Sequence, residues 1–395
     1  MLIEEVQEAL REEHLNGWLF YDLNGLDPIG CRILGLDPSQ MRTRRWFYLI
    51  PQSGEPRKLV HRIESQALFG LPGSAVVYTG WRDLEPGLKT LLDKCPVVAM
   101  QYSPWNAIPY VSRVDAGTLE MIRSLGVEVR TSADLVQRFE ARWSAEQLET
   151  HLYAASTLRS LVDRAFFEIA RRVRNGDAIT ELDLQSFLLN RFKEHNLHTD
   201  SPPIVAVNAH TGNPHYEPGL AEALTIREGD FVLLDLWAKK KEIGSVYADM
   251  TRVGFVGTKV PEKYQRIFRI VREARDRAVA FVGEAVRAGR TVRGWEVDDV
   301  ARNWITEQGF GENFFHRTGH SIGESDHGFG ANMDNFETRD ERKILPQTCF
   351  SVEPGIYFPE FGVRSEVNVY VGKEDILVSG APIQTEVVPL LREHP

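Results

Sequence analysis

The chain is poor in cysteine. Three cysteines in 395 residues, Cys31, Cys95 and Cys349, stand far apart with no CxxC spacing. That excludes a disulfide scaffold or a zinc ribbon and fits a reducing compartment. Long apolar runs are missing too, for none approaches the roughly 20 residues needed to span a bilayer. The amino terminus, MLIEEVQEALREEHL, is acidic and amphipathic, so neither a signal peptide nor a transit peptide is expected there. No GxxxxGK or GxGxxG follows the apolar runs of the first 140 residues, so no phosphate loop is read. Positive charge is in deficit. With 46 Lys+Arg against 56 Asp+Glu, the formal charge is −10, which argues against a generic nucleic-acid binder. The expectation is a cytoplasmic protein with neither membrane nor nucleic acid as partner.

What remains is ordinary globular composition, 43 % hydrophobic and 26 % charged, in a chain long enough for two domains and a large core. Short apolar runs at Trp18–Tyr21, Trp46–Ile50, Ala75–Tyr78 and Val97–Met100 alternate with helical patterns at Ile63–Phe69, Leu84–Leu92 and Gly117–Leu125. Strands alternating with helices predict an α/β domain. The segment Asn24–Gln40, with Gly25, Pro28, Gly30 and Pro38, reads as a long loop. At Ser144 the pattern changes. Ser144 and Gln147 form a capping-box signature, and Leu148, Leu152, Ala155, Leu158, Val162, Ala165, Ile169 and Val173 then recur every three or four residues up to Gly176. The domain boundary is placed just before this cap, giving units 1–142 and 143–395.

The second unit reads as two copies of one element. Long helices end at Gly176 and, after a start at Pro261, at Gly289; shorter helices follow at Glu181–His195 and Val297–Gln308. Each copy then offers a strand with one acid among apolar neighbours, Phe231–Asp235 and Cys349–Glu353, and a second acid-bearing strand, Tyr247–Asp249 and Arg364–Glu366. The offsets agree: 289 − 176 = 113, 353 − 235 = 118 and 366 − 249 = 117. Landmarks at nearly constant offset predict a duplicated half-domain.

Duplication about a pseudo-twofold axis would bring Asp235, Asp249, Glu353 and Glu366 together. An ionised carboxylate in an apolar layer costs several kcal/mol unless it is paired or holds a metal. Four at close range require cations. Hard oxygen ligands with one imidazole suit manganese, cobalt, iron or zinc. A single buried Asp is more often a turn cap or an arginine partner, and Arg252 and Arg364 lie near enough in sequence to neutralise Asp249 and Glu366; the recurrence of all four acids favours metal. Histidines cluster in the same stretches, His215 before the first acid strand and His316, His320 and His327 before the second. His316 and His320 have zincin spacing, but Arg317 stands where HExxH needs its glutamate and Gly319 weakens a helix there.

With these residues in place, the chain resembles the pita-bread metallopeptidases, which include Xaa-Pro aminopeptidases, prolidases, methionine aminopeptidases and creatinases. Asp249-Met-Thr-Arg252 is similar to the family's second-aspartate motif, with Asp235 as the first. Gly319-His320-Ser-Ile-Gly323 matches the single histidine ligand, and Val352-Glu353-Pro354-Gly355 and Arg364-Ser365-Glu366 match the two glutamates. His215, His316 and His327 match three histidines that the proline-directed branch uses around substrate, and Arg364 fits that branch. The resemblance implies a creatinase-type α/β amino-terminal domain and an α+β pita-bread catalytic domain with internal pseudo-twofold duplication. It also implies two divalent metal ions per chain, manganese first, with cobalt, zinc or iron as alternatives, and a homodimer. The sequence departs from the pattern in the 14-residue separation of the aspartates (249 − 235), in Val367 after Glu366, and in His327 being set in Asp326-His327-Gly328.

The resemblance implies hydrolysis of the bond on the amino side of proline in short peptides, as an aminopeptidase or a dipeptidase. In that reading Glu353 shuttles the proton, His215 and His327 act catalytically by stabilising the oxyanion or the substrate carbonyl, His316 shapes the pocket after the cut, and Arg364 orients Glu366 or a substrate carboxylate. A metal-free amidinohydrolase of the creatinase type and an inactive binding protein are the alternatives, and the intact ligand set counts against both. Phosphotriester hydrolysis as a side activity is compatible with this scaffold.

Overall fold

A computed structural model of the chain describes residues 3–37, 39–217, 219 and 222–392. They form two compact units, Met1–Glu140 and Ala141–Pro395. Among the described residues, no helix is long and apolar enough to cross a membrane.

The first unit is built on a six-stranded mixed sheet whose spatial order is Ser74–Tyr78, Arg57–His61, Trp46–Pro51, Gly17–Asp22, Val97–Met100 and Glu128–Thr131. The two central strands, Gly17–Asp22 and Trp46–Pro51, are buried along their whole length, because helices cover both faces. Leu19 and Tyr21 point into a core with Leu84, Leu88, Leu119 and Ile122, whereas the Trp18 ring packs on Phe20 and Phe139. Three details differ from the sequence reading. Asn24–Gln40 contains a helix, Pro28–Ile33, capped by Asp27, whose Oδ1 accepts the Gly30 N–H at 2.9 Å; Pro38 lies outside the described residues. An aspartate followed by proline is a cap-and-first-turn signal hidden by the neighbouring glycines. Ile63–Phe69 yields only the 3₁₀ turn Arg62–Glu64. Finally, Arg57–His61 and Glu128–Thr131 are strands without apolar runs: the first buries Lys58, Leu59 and Val60 between two half-buried polar residues, and the second is exposed except at Val129.

The second unit opens with helix Ala145–Asn175. Ser144 and Gln147 close the capping box, and Gly176, at φ 76°, ends it in the left-handed conformation. Helix Glu181–Glu194 follows. The second copy repeats the pair as Glu262–Arg287 and Gly294–Glu307; Pro261 takes the extended N-cap position instead of the first turn, and the shorter helix begins three residues earlier than its apolar pattern announced. The first helix pair packs on a five-stranded sheet centred on the hairpin Phe231–Lys240 and Ala248–Phe255. Val232, Leu234, Leu236 and Ala238 share a core with Leu158, Leu161 and Leu188 of these helices. The alternate residues Phe231 and Leu233 belong to the core of the second helix pair, and so Asp235 falls on that inner face by the period of two. The second copy's sheet comprises Ser321–Ile322, Cys349–Val352, Val367–Val371 and Ile376–Ser379. There Phe350, Val352, Val367 and Val369 face the helices, which turns Glu353 and Glu366 away from them.

Candidate metal centre

Register brings the acids together. Across the first hairpin Asp235 faces Thr251 and Asp249 faces Trp237, so all four side chains leave the same side of the pleat. In the second sheet the last pair is Val352 with Val367, and Glu353 and Glu366 flank it. The Asp249 N–H donates to Asn368 Oδ1 at 2.9 Å and ties one sheet to the other. His320 precedes strand Ser321–Ile322; its N–H donates to Ser351 Oγ at 2.9 Å, and that hydroxyl donates to Glu353 Oε1 at 3.1 Å. His320 Nε2 then lies 3.5 Å from Asp249 Oδ2 and 3.4 Å from Glu353 Oε1. The Thr251 hydroxyl sits 2.9 Å from Asp235 Oδ1 and 2.8 Å from Glu366 Oε2. Ligand atoms of Asp249, His320 and Glu366 lie within 4.8 Å of one another. All five residues named from the sequence as ligands are thus in one place.

This donor set suits cations. His320 Nδ1 is 3.2 Å from the Ser321 carbonyl, which can only accept, so Nδ1 carries the proton and Nε2 turns a lone pair toward the acids. Asp249 Oδ1 and Glu366 Oε1 are buried and have no hydrogen-bond partner. Burial first, and then neighbouring carboxylates, push Asp249 and Glu366 well above the usual carboxylate range. Glu353 is pushed up to about 7, by burial above all, with Asp235 adding and Arg364 opposing. Burial also holds His320 well below its ordinary value. The arginines do not answer this charge in the way their sequence positions suggested. Arg252 donates to three backbone carbonyls, Thr251 O at 3.0 Å, Glu366 O at 2.7 Å and Gly380 O at 3.3 Å. Arg364 pairs with Asp235 and donates to Thr251 Oγ1 at 3.0 Å, and among the described residues it makes no hydrogen bond to the Glu366 carboxylate. Among the described residues no arginine pairs with Asp249 or Glu366, and Arg364 opposes the rise of Glu366 only from a longer range.

A cavity of about 670 Å³ opens over these acids, and His215, His316 and His327 all line it. His215 is exposed at its rim. His316 has both ring nitrogens engaged: Nδ1 donates to Arg317 O at 2.7 Å, and Nε2 accepts from the Tyr357 hydroxyl at 2.8 Å. Burial, with Arg364 next in effect, lowers its pKa to about 3, so it is a neutral wall. His327 packs its ring 4.1 Å from that of His320. Its Nδ1 lies 3.3 Å from Arg317 Nη2; a guanidinium only donates, so the His327 proton is on Nε2.

Sequence reasoning missed several contributors. Asp326 and Tyr247 line the same cavity, and Tyr357 joins His316 to Arg364, whose Nη1 is 3.4 Å from the phenol oxygen. Two buried acids at the duplication offset (298 − 181 = 117) were also passed over. Glu181 accepts from Val207 N at 2.8 Å and Tyr216 Oη at 2.8 Å; Asp298 accepts from Thr318 N at 2.8 Å and pairs with Arg302 at 2.7 Å. Each anchors the segment that carries its copy's histidines. The constant offset was the available signal.

A family model for metallopeptidase family M24 matches residues 156–373, more than half of the chain. The chain belongs to this family. Over 378 residues it is 28 % identical to the probable dipeptidase PepE of Mycobacterium tuberculosis, covering 91 % of this chain and 90 % of that protein. The Xaa-Pro dipeptidase of Lactobacillus helveticus is 35 % identical over 171 residues, 43 % of this chain and 42 % of that enzyme, so the match spans less than half of that relative. Among solved structures, dipeptidase PepE from Mycobacterium ulcerans superposes with a TM-score of 0.69 at 23 % identity, over 98 % of this chain and 97 % of that one. The prolidase of Pyrococcus horikoshii gives 0.61 at 21 % identity, with 98 % of each chain covered. Both likenesses establish the pita-bread fold.

Proposed function

We propose that this M24 peptidase hydrolyses Xaa-Pro bonds in short peptides, with two divalent cations, manganese first, held by Asp235, Asp249, His320, Glu353 and Glu366. The observation that carries this reading is the pair of buried, partnerless carboxylate oxygens on Asp249 and Glu366 beside the free lone pair of His320. Metal ions in such a donor set supply a water of lowered pKa and polarise a carbonyl oxygen. Glu353 takes the proton from the attacking water and passes it to the leaving nitrogen, held in place by Ser351 Oγ at 3.1 Å. His327, with its proton on Nε2, donates to the substrate carbonyl as charge develops there, and His215 does the same from the rim. A good donor in that role is worth roughly 10²–10³ in rate.

Proline after the cleaved bond has no N–H to satisfy. His316, whose two ring nitrogens are spent on the Arg317 carbonyl and the Tyr357 hydroxyl, lines the cavity and offers the proline ring a neutral wall. Arg364, fully engaged with Asp235, Thr251 and Tyr357, acts by orienting Asp235. Three free cysteines support a cytoplasmic home, and a homodimer is the proposed assembly. The test compares kcat/KM for Ala-Pro, Ala-Ala and Ala-Pro-Ala on manganese-loaded protein. Ala-Pro should exceed Ala-Ala by at least about tenfold; equal values would remove the proline claim. The tripeptide separates dipeptidase from aminopeptidase.

A further inference from the structure

Asp326 is one of three cavity-lining carboxylates, with Asp200 and Glu337, that the five proposed ligands leave over. It follows strand Ser321–Ile322, directly precedes His327 and lines the same cavity. Its Oδ1 is buried without a hydrogen-bond partner, and its Oδ2 lies 3.8 Å from His327 Nε2. No lysine or arginine among the described residues is within ion-pairing distance of it. A buried carboxylate oxygen without a donor is costly, and the rest of the Asp326 side chain, 23 % exposed, leaves the carboxylate open to a cation from the cavity it lines.

The identity of that cation follows from its neighbours. Ligand atoms of His320, Asp326 and His327 lie within 4.8 Å of one another, which on distance alone suggests a further metal ion. Both imidazoles argue against it. His320 has one lone pair, on Nε2, and it is turned toward Asp249 and Glu353. The Nε2 of His327 carries a proton because its Nδ1 accepts from Arg317. Only Asp326 is left as a ligand, which is too few for a metal ion and suits an organic cation that brings its own N–H donors. Asp200, whose Oδ2 accepts the Tyr247 hydroxyl at 2.9 Å, lines the cavity as well and adds negative potential.

We propose that Asp326 receives a primary ammonium group of the peptide's amino-terminal residue, an assignment that rests on the peptidase reading above. The ammonium has two sources, the α-amino group and the side chain of an amino-terminal lysine. Four dipeptides tell them apart: Lys-Pro, norleucyl-Pro, Lys-Ala and norleucyl-Ala, norleucine copying the lysine chain without its charge. kcat/KM is measured on manganese-loaded wild type, Asp326→Asn and Asp326→Glu, with metal content determined for each. If the α-ammonium binds, Asp326→Asn lowers kcat/KM for lysyl and norleucyl dipeptides alike by at least about tenfold, mainly through KM. If the side chain binds, wild type prefers lysyl over norleucyl by at least about tenfold and Asp326→Asn loses that preference. In either case Asp326→Glu, which keeps the charge, recovers part of the effect. The proposal is overturned if Asp326→Asn binds less metal than wild type, which would make Asp326 a ligand. It is equally overturned if Asp326→Asn stays within about twofold of wild type on every dipeptide. Proline preference is read separately, from prolyl against alanyl pairs, so its failure leaves the amino-terminal comparison intact on whichever pair is cleaved.

Discussion

Replacing Glu353 by glutamine keeps the shape of the side chain and removes its charge. In the metal-free protein the Glu353 carboxyl is pushed up from 4.5 to about 7, by burial first. Between those values the folded protein holds a proton that the unfolded chain has released, so stability falls as pH rises through this window. At about 1.36 kcal/mol per pH unit, the loss between pH 4.5 and 7 comes to about 3 kcal/mol from this group. Glutamine retains an acceptor for Ser351 Oγ and has no charge to lose. Metal-free Glu353→Gln should therefore melt a few degrees above metal-free wild type at pH 7, and the gap should close toward pH 4.5. Added manganese should reverse the order, because the variant lacks a ligand and gains less by mass action. Calorimetric melts of both proteins at pH 4.5, 6 and 7, chelated and manganese-loaded, measure all of this. A metal-free variant that melts below wild type at pH 7, or a gap that does not shrink with falling pH, would refute the reasoning.

Asp249→Asn should lower metal occupancy and drop kcat by orders of magnitude, read by metal analysis alongside peptide hydrolysis; wild-type turnover with full occupancy would contradict its place among the ligands. Arg252→Ala, which strips donors from the buried carbonyls of Thr251 and Glu366, should instead cost stability, about 1–3 kcal/mol for each orphaned group, seen in denaturant unfolding. Thr251→Val conserves volume but deletes the hydroxyl between Asp235, Glu366 and Arg364. A loss of about 1.5–3 kcal/mol is expected, and no measurable change would show that hydroxyl to be idle.

Some parts of this structure were legible because local chemistry decides them. Ser144, Gln147 and Gly176 mark a helix by capping alone, and Phe231–Leu234 is apolar because both faces of that strand are covered. The acids were legible through repetition: one buried aspartate is ambiguous, whereas two acid-bearing strands at a common offset are not. Other parts depend on distant contacts. Asp326 reads as an ordinary loop acid, and only the packing of its loop beside His320 makes it part of the cavity. Arg364 could have served Glu366, two residues away, yet Asp235 claims it from across the fold. The helix Pro28–Ile33 was masked by glycines, although Asp27-Pro28 carried its signal. Arg57–His61 and Glu128–Thr131 sit where sheet pairing, rather than hydrophobicity, makes the strand.

The central claim is that the buried acids exist to hold two metal ions for peptide hydrolysis. The most direct measurement follows metal content and Ala-Pro cleavage on one preparation while a chelator strips the protein and manganese is then returned. Two divalent ions per chain, activity lost as they leave and restored as they come back, is the predicted result. Undiminished cleavage by protein shown to be free of metal would contradict it.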